Sequence, residues 1–181
     1  MMIGSRIANK KDMSLKNKII NFLNPDNIFI PLVIGTETNI SIFVKKGDYV
    51  YKGSILGKSQ GFSSLPILAS VSGVVLGIEE KYYLNGKKVK CIVIKNDFKE
   101  LSLEKQPMTE NISQIKKDNF VEILKNNSIV GMGGANFPTY IKYSTDKKIK
   151  TLIVNAVECE PYITADYVLA LNHVEEILEC I

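Results

Sequence analysis

A glycine-rich stretch at residues 131–139, here called the glycine loop, is the part of the sequence best suited to bind an anion. Its sequence is GMGGANFPT, with three glycines in the first four positions. Because glycine has no Cβ, backbone N–H groups in such a loop can approach an anion closely. Phe137 adds an aromatic face, and Thr139 stands where it can cap a following helix. The pattern predicts a cradle for a phosphorylated, ring-bearing cofactor.

A second polar stretch follows an apolar run. Residues 152–154 are Leu, Ile and Val, and residues 155–161 read NAVECEP. Residues 150–154 are predicted to form a buried parallel strand, and residues at the carboxyl end of such a strand face the ligand crevice of an open α/β sheet. Asn155, Glu158 and Glu160 are placed there. Their amide and carboxylate oxygens are suited to accept hydrogen bonds from ribose or a carboxamide.

The two stretches together resemble the flavin- and NADH-binding region of the respiratory complex I 51 kDa subunit family. Within that superfamily, the sequence ECEPY at residues 158–162 is most similar to the C subunit of Rnf electron transport complexes. The resemblance implies FMN and NAD(H) as cofactors, with a hydride passing between NADH and the flavin. It also implies that electrons continue to 4Fe-4S clusters held in a downstream region of the family and not in this chain.

The resemblance assigns roles to the residues of both stretches. In the family, the glycine loop contacts the phosphate and ribityl chain of the flavin, which here falls to Gly131, Gly133, Gly134, Ala135 and Phe137. Lys142 matches a lysine that neutralises phosphate, although an ordinary solvated lysine is the alternative.

The polar stretch carries the remaining assignments. Asn155 matches an asparagine that hydrogen-bonds the flavin, and Glu158 and Glu160 match acids near the isoalloxazine and the nicotinamide nucleotide. A purely structural alternative is that these carboxylates cap local backbone N–H groups. Val157 stands where complex I proteins of this family carry an aspartate, so one polar flavin contact is absent.

The resemblance implies part of a membrane-associated, ion-translocating ferredoxin:NAD oxidoreductase, peripheral on the cytoplasmic side of the cell membrane. Its partners would be the other subunits of the complex and, indirectly, ferredoxin. Two alternatives stay open: a non-catalytic docking or assembly module, and a cobalamin-reductase-like flavoprotein that shares the motif. A β-rich domain before the flavin motif favours the Rnf type. The resemblance covers only the first part of the family's length, so we expect this chain alone to be inactive in NADH oxidation.

Composition narrows the class of protein. The 181 residues are 45% hydrophobic and carry a net charge of +4, which suits one or two domains with a core. Arg6 is the only arginine, which argues against nucleic-acid recognition. The three cysteines are widely spaced without a C-x-x-C pair, so no metal or iron–sulfur site is predicted. No apolar run approaches the ~18 residues of a membrane span.

Residues 28–96 are predicted to form a β domain. Short β runs occupy residues 28–30, 40–44, 49–51, 67–68 and 74–76, and Asn85-Gly86 signals a two-residue hairpin turn. Segments 44–53 and 67–75 echo one another, which resembles the barrel-sandwich hybrid of lipoyl and biotinyl carriers. No lysine has the hairpin-tip setting of a carrier, so a structural or docking module is favoured.

The other segments complete a mixed α+β and α/β architecture. Residues 1–27 are predicted to be a basic arm and residues 97–111 a linker. Residues 112–181 are predicted to be the first part of the α/β flavin domain. It would comprise a helix at 115–124 ended by Asn126-Asn127, a helix–loop–helix around the glycine loop, and a helix from Thr164 to Ile181 with an apolar stripe.

Overall fold

The computed structural model describes residues 8–20, 24–103, 114–132 and 136–180. Of the predicted site residues, Gly133, Gly134 and Ala135 lie outside these ranges. The chain divides into two compact units, a larger one at Leu23–Lys147 and a smaller one made of Met1–Phe22 and Lys148–Ile181.

The larger unit holds every β-strand of the described residues. The elements are α1 (Lys11–Leu15), β1 (Asn27–Pro31), β2 (Ile40–Ile42), β3 (Tyr49–Val50), β4 (Ile55–Ser59), β5 (Pro66–Leu68), β6 (Gly73–Tyr82), β7 (Lys88–Asn96), α2 (Lys117–Asn126), α3 (Thr139–Tyr143), α4 (Ala165–Asn172) and α5 (Val174–Glu179). One sheet has four strands in the order β1-β7-β6-β3, and the other has three in the order β2-β4-β5. All neighbouring strands are antiparallel.

The core of this unit lies between the two sheets. β7 runs between β1 and β6, and its residues 91–94 are all buried, so this strand is covered on both faces. Leu56 of β4 and Ile67 of β5 contribute to the same apolar cluster as Ile92 and Ile94. Two curled sheets around one core confirm the predicted β domain.

The two segments that echo one another in sequence pair with each other in space. The Gly53 N–H donates to the Ala69 carbonyl at 2.8 Å, and the Ala69 N–H donates to the Ser54 carbonyl at 2.9 Å. At the other end, the Val75 N–H donates to the Asp48 carbonyl at 2.9 Å. The sequence similarity therefore reflects two antiparallel halves of one barrel-like domain.

The predicted hairpin forms, but its turn is longer than two residues. β6 and β7 pair from Gly73 and Asn96 to Tyr82 and Lys88. Beyond the last pair, the Tyr83 N–H donates to the Lys87 carbonyl at 2.8 Å, which leaves three residues in the tip. Gly86 takes a left-handed φ of 76°, as a turn glycine does. The Asn-Gly pair therefore predicts the position of the turn correctly, but the turn has three residues and not two.

Residues 97–103, at the start of the predicted linker, bind to the β domain. The Asp97 carboxylate accepts hydrogen bonds from the Ser72 hydroxyl at 2.7 Å and from the Tyr49 hydroxyl. The Leu101 N–H donates to the Ser72 hydroxyl at 3.0 Å, and Ser72 is fully buried. The Lys52 N–H donates to the Leu101 carbonyl at 2.8 Å, which extends the attachment along the chain.

The helix–loop–helix around the glycine loop is confirmed. α2 ends at Asn126, and the Asn127 N–H donates to the Ile123 carbonyl at 3.1 Å. Thr139, however, is the first residue of α3 and does not cap it, because Pro138 holds the N-cap position. The backbone N–H of Thr139 instead donates to the Ile129 carbonyl at 3.0 Å.

The smaller unit departs from two predictions. Residues 150–154 form no strand, and Leu152, Ile153 and Val154 are 62%, 82% and 55% exposed. A buried parallel strand needs neighbours to satisfy its backbone N–H and C=O groups, and the described residues of this unit contain no strand that pairs with it.

The predicted helix from Thr164 to Ile181 is divided in two. α4 ends at Asn172, and His173 leaves helical geometry with φ −131° and ψ 34° before α5 begins. The His173 Nδ1 lies 3.0 Å from the Glu176 carboxylate in the first turn of α5. Leu171 and Val174, members of the predicted apolar stripe, are exposed.

Candidate functional site

The base of the glycine loop is closed by backbone contacts. The Gly131 N–H donates to the Phe137 carbonyl at 2.8 Å, and Val130 forms an isolated antiparallel bridge with Pro138. One residue further out, the Thr139 N–H donates to the Ile129 carbonyl. The two ends of the loop are therefore joined by the backbone itself.

The described part of the loop is accessible from solvent. Met132 is 93% exposed, and a Cβ added at Gly131 would meet only the Phe137 backbone, at 3.7 and 4.0 Å. Asn136 adopts a left-handed φ of 47°, a conformation that asparagine tolerates better than most residues. The space at Gly131 and the exposure of Met132 are compatible with close approach of an anion to the backbone at these two residues.

Two of the predicted site residues contact each other beside the loop. The Lys142 Nζ lies 5.9 Å from the centroid of the Phe137 ring, which is 44% exposed. A cation at this distance is attracted to the face of the ring. The positive charge of Lys142 is therefore held close to the loop, where the predicted neutralisation of a phosphate requires it.

Helices α2 and α3, which precede and follow the loop, contact each other through aromatic side chains. The Phe120 and Tyr143 rings meet edge to face with centroids 5.2 Å apart. The Lys125 Nζ lies 5.4 Å from the Tyr140 ring, and the Tyr140 hydroxyl donates to the Ser63 carbonyl at 3.1 Å. The last contact attaches α3 to the β domain of the same unit.

In the smaller unit, Glu158 caps a helix. Its Oε1 accepts hydrogen bonds from the N–H groups of Asp166 at 2.9 Å and Tyr167 at 3.2 Å, in the first turn of α4. A carboxylate at a helix N-terminus satisfies unpaired N–H groups and interacts favourably with the helix dipole. The structural alternative considered for Glu158 is the arrangement that the molecule adopts.

The other two predicted residues of this stretch are less constrained. The Asn155 Oδ1 accepts a hydrogen bond from the Val157 N–H at 3.0 Å, which forms a local turn. Glu160 is exposed. The predicted site residues thus fall in both units, with Gly131, Phe137 and Lys142 in one and Asn155, Glu158 and Glu160 in the other.

A hydrogen-bonded group of one carboxylate and two serines lies near the glycine loop, and it is not predicted from the sequence. Glu37 accepts hydrogen bonds from the Ser59 hydroxyl, from the Ser63 hydroxyl at 2.9 Å and from the Ser63 N–H at 3.2 Å. The Ser59 hydrogen bond is the main reason that the pKa of Glu37 lies below its ordinary value. The one sequence signal for this group is the Gly- and Ser-rich segment SQGFSS at residues 59–64.

Two further properties concern metals and membranes. Within residues 8–20, 24–103, 114–132 and 136–180, no group of three or more His, Cys, Asp or Glu side chains could hold a metal ion. Among the helices in those same ranges, none combines the length and hydropathy needed to cross a bilayer.

Two family models match the chain, one over the part that contains the β domain and one over the part that contains the glycine loop. The model described as "RnfC Barrel sandwich hybrid domain" matches residues 2–99, and the model described as "Nuo51 FMN-binding domain" matches residues 124–181. The first match contains every strand of the two sheets. The second contains the glycine loop and all nine predicted site residues.

Curated relatives carry related names. The chain is 35% identical over 156 residues to the C subunit of the Na(+)-translocating ferredoxin:NAD(+) oxidoreductase complex of Acetobacterium woodii, covering 85% of this chain and 35% of that protein. It is 38% identical to the C subunit of the proton-translocating complex of Clostridium ljungdahlii, covering 85% and 34%. It is 35% identical to the C subunit of the ion-translocating oxidoreductase complex of Pasteurella multocida, covering 97% and 21%.

The chain therefore spans between 21% and 35% of the length of these three relatives. The barrel-sandwich hybrid model alone matches more than half of the chain, and the matched residues include β1 to β7. By its barrel domain and by the FMN-domain match that follows, this chain belongs to the RnfC family.

Proposed function

We propose that this chain is part of the FMN- and NADH-binding subunit of a membrane-associated, ion-translocating ferredoxin:NAD oxidoreductase. The observation that supports this best is the coincidence of a glycine loop whose two ends are joined by backbone hydrogen bonds with the match to an FMN-binding domain. The relatives are named as single subunits of multi-subunit complexes, which supports the other subunits of such a complex as partners. A peripheral position on the cytoplasmic side of the membrane belongs to the same proposal.

The residues present fit an FMN phosphate at the glycine loop. Gly131 leaves space at the backbone, and Lys142 supplies a cation beside Phe137. Backbone N–H groups would orient the phosphate, Lys142 would offset its charge, and the exposed ring of Phe137 would contact apolar parts of the ligand. When bound, FMN supplies the capacity to accept a hydride and release single electrons.

The roles proposed for the polar stretch use the groups that its own contacts leave available. The side-chain oxygen of Asn155 accepts a hydrogen bond from the Val157 N–H, and its amide nitrogen is the group that would donate to a flavin carbonyl. Glu160 is exposed and can accept hydrogen bonds from ribose. Glu158 acts through α4, because its carboxylate oxygen is engaged with that helix.

A docking or assembly module is the second candidate function. Residues 151–157 are exposed and lack regular structure, which favours a segment completed by a partner. Equilibrium dialysis of the chain against FMN, with and without NADH, separates the two. The redox proposal predicts retention of FMN and of NADH in its presence. Failure to retain FMN, with a folded chain by circular dichroism, would favour the docking module.

A further inference from the structure

A cavity of about 690 Å³ lies within the larger unit, between the β domain and the glycine loop. Its volume is typical of small-molecule sites, which occupy roughly 300–1,000 Å³. Phe137 and Pro138 line one side. The other side is lined by Phe62, from the segment at residues 60–64 here called the barrel loop, and by Leu84 of the β6–β7 turn.

The barrel loop is held in place by the Glu37 carboxylate. Glu37 accepts hydrogen bonds from Ser59 and Ser63, on either side of the loop tip, and both serines are buried. The Gly61 N–H donates to the Ser59 hydroxyl at 3.1 Å, and a Cβ at Gly61 would collide with Glu37. The barrel loop is therefore held by hydrogen bonds of two buried serines, while the Phe62 side chain at its tip is 82% exposed.

The two sides of the cavity are joined by α3. The Tyr140 hydroxyl donates to the Ser63 carbonyl, one residue after Phe62, and Tyr140 lies three residues after Phe137. Phe62 and Phe137 are thus each within a few residues of the same hydrogen bond. Exposed aromatic side chains on both sides of one cavity offer faces for stacking a planar ring.

The electrostatics of the cavity favour an uncharged end of a ligand. Of the described residues that line it, none is a lysine or an arginine. Glu37 lies on its wall and stays ionised, because hydrogen bonds from Ser59 and Ser63 hold its pKa low. A phosphate is repelled there, whereas an aromatic ring can stack on the phenylalanines and use the Asn85 and Asn136 amides for hydrogen bonds.

We propose that this cavity binds the planar heteroaromatic ring of a nucleotide whose phosphate end lies at the glycine loop. The β domain supplies one wall of the cavity, through Phe62 and Leu84. This inference rests on the proposed function for the phosphate end. It assigns the β domain a direct part in ligand binding. The ring belongs either to a flavin or to the adenine of a dinucleotide, which share planarity and hydrogen-bonding edges.

Saturation-transfer NMR on the 181-residue chain tests this with FMN, AMP and ribose 5-phosphate as separate probes. Phe62→Ala is the test variant, and Phe43→Ala, another exposed phenylalanine of the same domain but outside the cavity lining, is the matched control. We expect ring protons of FMN or AMP to receive the strongest saturation. Phe62→Ala should weaken binding of that probe about fivefold or more, as loss of a stacking partner does, and Phe43→Ala should not.

The outcomes separate the inference from the proposed function. An effect of Phe62→Ala on FMN alone assigns the cavity to the flavin, and an effect on AMP alone assigns it to adenine. Unchanged binding of both probes by Phe62→Ala, with wild-type binding intact, overturns ring binding in the cavity and leaves the proposed function standing. Binding of neither FMN nor AMP by the wild-type chain overturns both. Ribose 5-phosphate, which has no aromatic ring, should be insensitive to Phe62→Ala.

Discussion

The Tyr140 hydroxyl donates a hydrogen bond to the Ser63 backbone carbonyl at 3.1 Å, across 77 residues of sequence. Tyr140 follows the glycine loop in α3, and Ser63 belongs to the barrel loop fixed by Glu37. The hydrogen bond therefore connects the segment that carries the FMN-domain match with the domain that precedes it. The β domain is built into the surroundings of the glycine loop.

Tyr140→Phe should destabilise the larger unit by about 1 kcal/mol, because a partly buried carbonyl loses its hydrogen-bond partner while the ring contacts remain. Urea denaturation followed by circular dichroism measures the difference. Tyr82→Phe, at an exposed tyrosine of the β domain, is the control. An equal change in stability for the two variants would show that the Tyr140 hydroxyl contributes nothing.

Glu158→Ala should loosen the start of α4, since the amides of Asp166 and Tyr167 lose their acceptor. Loss of a helix cap costs about 1 kcal/mol, so hydrogen exchange at these amides should accelerate roughly fivefold. Glu160→Ala, which changes an exposed acid two residues away, should leave that exchange unchanged. Unaltered protection in Glu158→Ala would rule out the capping role.

Asp97 should make the stability of the β domain depend on pH in the acid range. Hydrogen bonds from Ser72 and Tyr49 lower its pKa from 3.8 to about 2 in the folded protein. A depressed carboxyl pKa stabilises the fold above the unfolded-state value and loses that contribution as pH falls towards the folded-state value.

Asp97→Asn should therefore lower the urea midpoint near neutral pH, and the gap from wild type should close between pH 3.8 and about 2. The comparison needs only circular dichroism at several pH values. Asp26→Asn, at an exposed aspartate of the same unit, serves as control. A gap that stays constant down to the lowest pH would contradict the assignment to Asp97.

Lys142→Gln should weaken FMN binding by a factor of about 1.4 to 5, the range that ~0.2–1 kcal/mol from an exposed charge pair allows. Riboflavin, which lacks the phosphate, should bind both forms equally. Lys147→Gln removes a lysine of the same unit and serves as the matched control. If FMN affinity falls equally in both variants, the effect comes from the lower net positive charge of the protein and not from the position of Lys142.

The β domain was predictable because its signals are local. Asn85-Gly86 marked the hairpin, and the echo between segments 44–53 and 67–75 marked two halves that pair. β4 was missed, since Gly57 interrupts its apolar pattern. That glycine is required by a neighbour, because a Cβ there would lie 2.7 Å from the Ser41 carbonyl, and such a contact leaves no mark in the sequence.

The smaller unit was less predictable because its pattern fits more than one structure. The apolar residues at 152–154 match a buried strand, yet pairing depends on other strands that local sequence does not specify. The stripe after Thr164 matches one helix, and nothing in its period marks the break at His173. Glu158 was identified as important, but only the three-dimensional arrangement distinguishes a ligand contact from a helix cap.

Binding of FMN to the glycine loop is the central claim, and a fluorescence titration of wild-type and Gly131→Ala chains tests it most directly. The added Cβ meets only the Phe137 backbone at ordinary distances, so the loop should keep its fold. We predict that wild type quenches FMN fluorescence saturably and binds riboflavin more weakly. Gly131→Ala should bind FMN about tenfold more weakly, which is ~1.4 kcal/mol, because the added Cβ would hinder close approach of the phosphate to the backbone. Equal affinities for FMN and riboflavin, or FMN binding unaffected by Gly131→Ala, would contradict the claim.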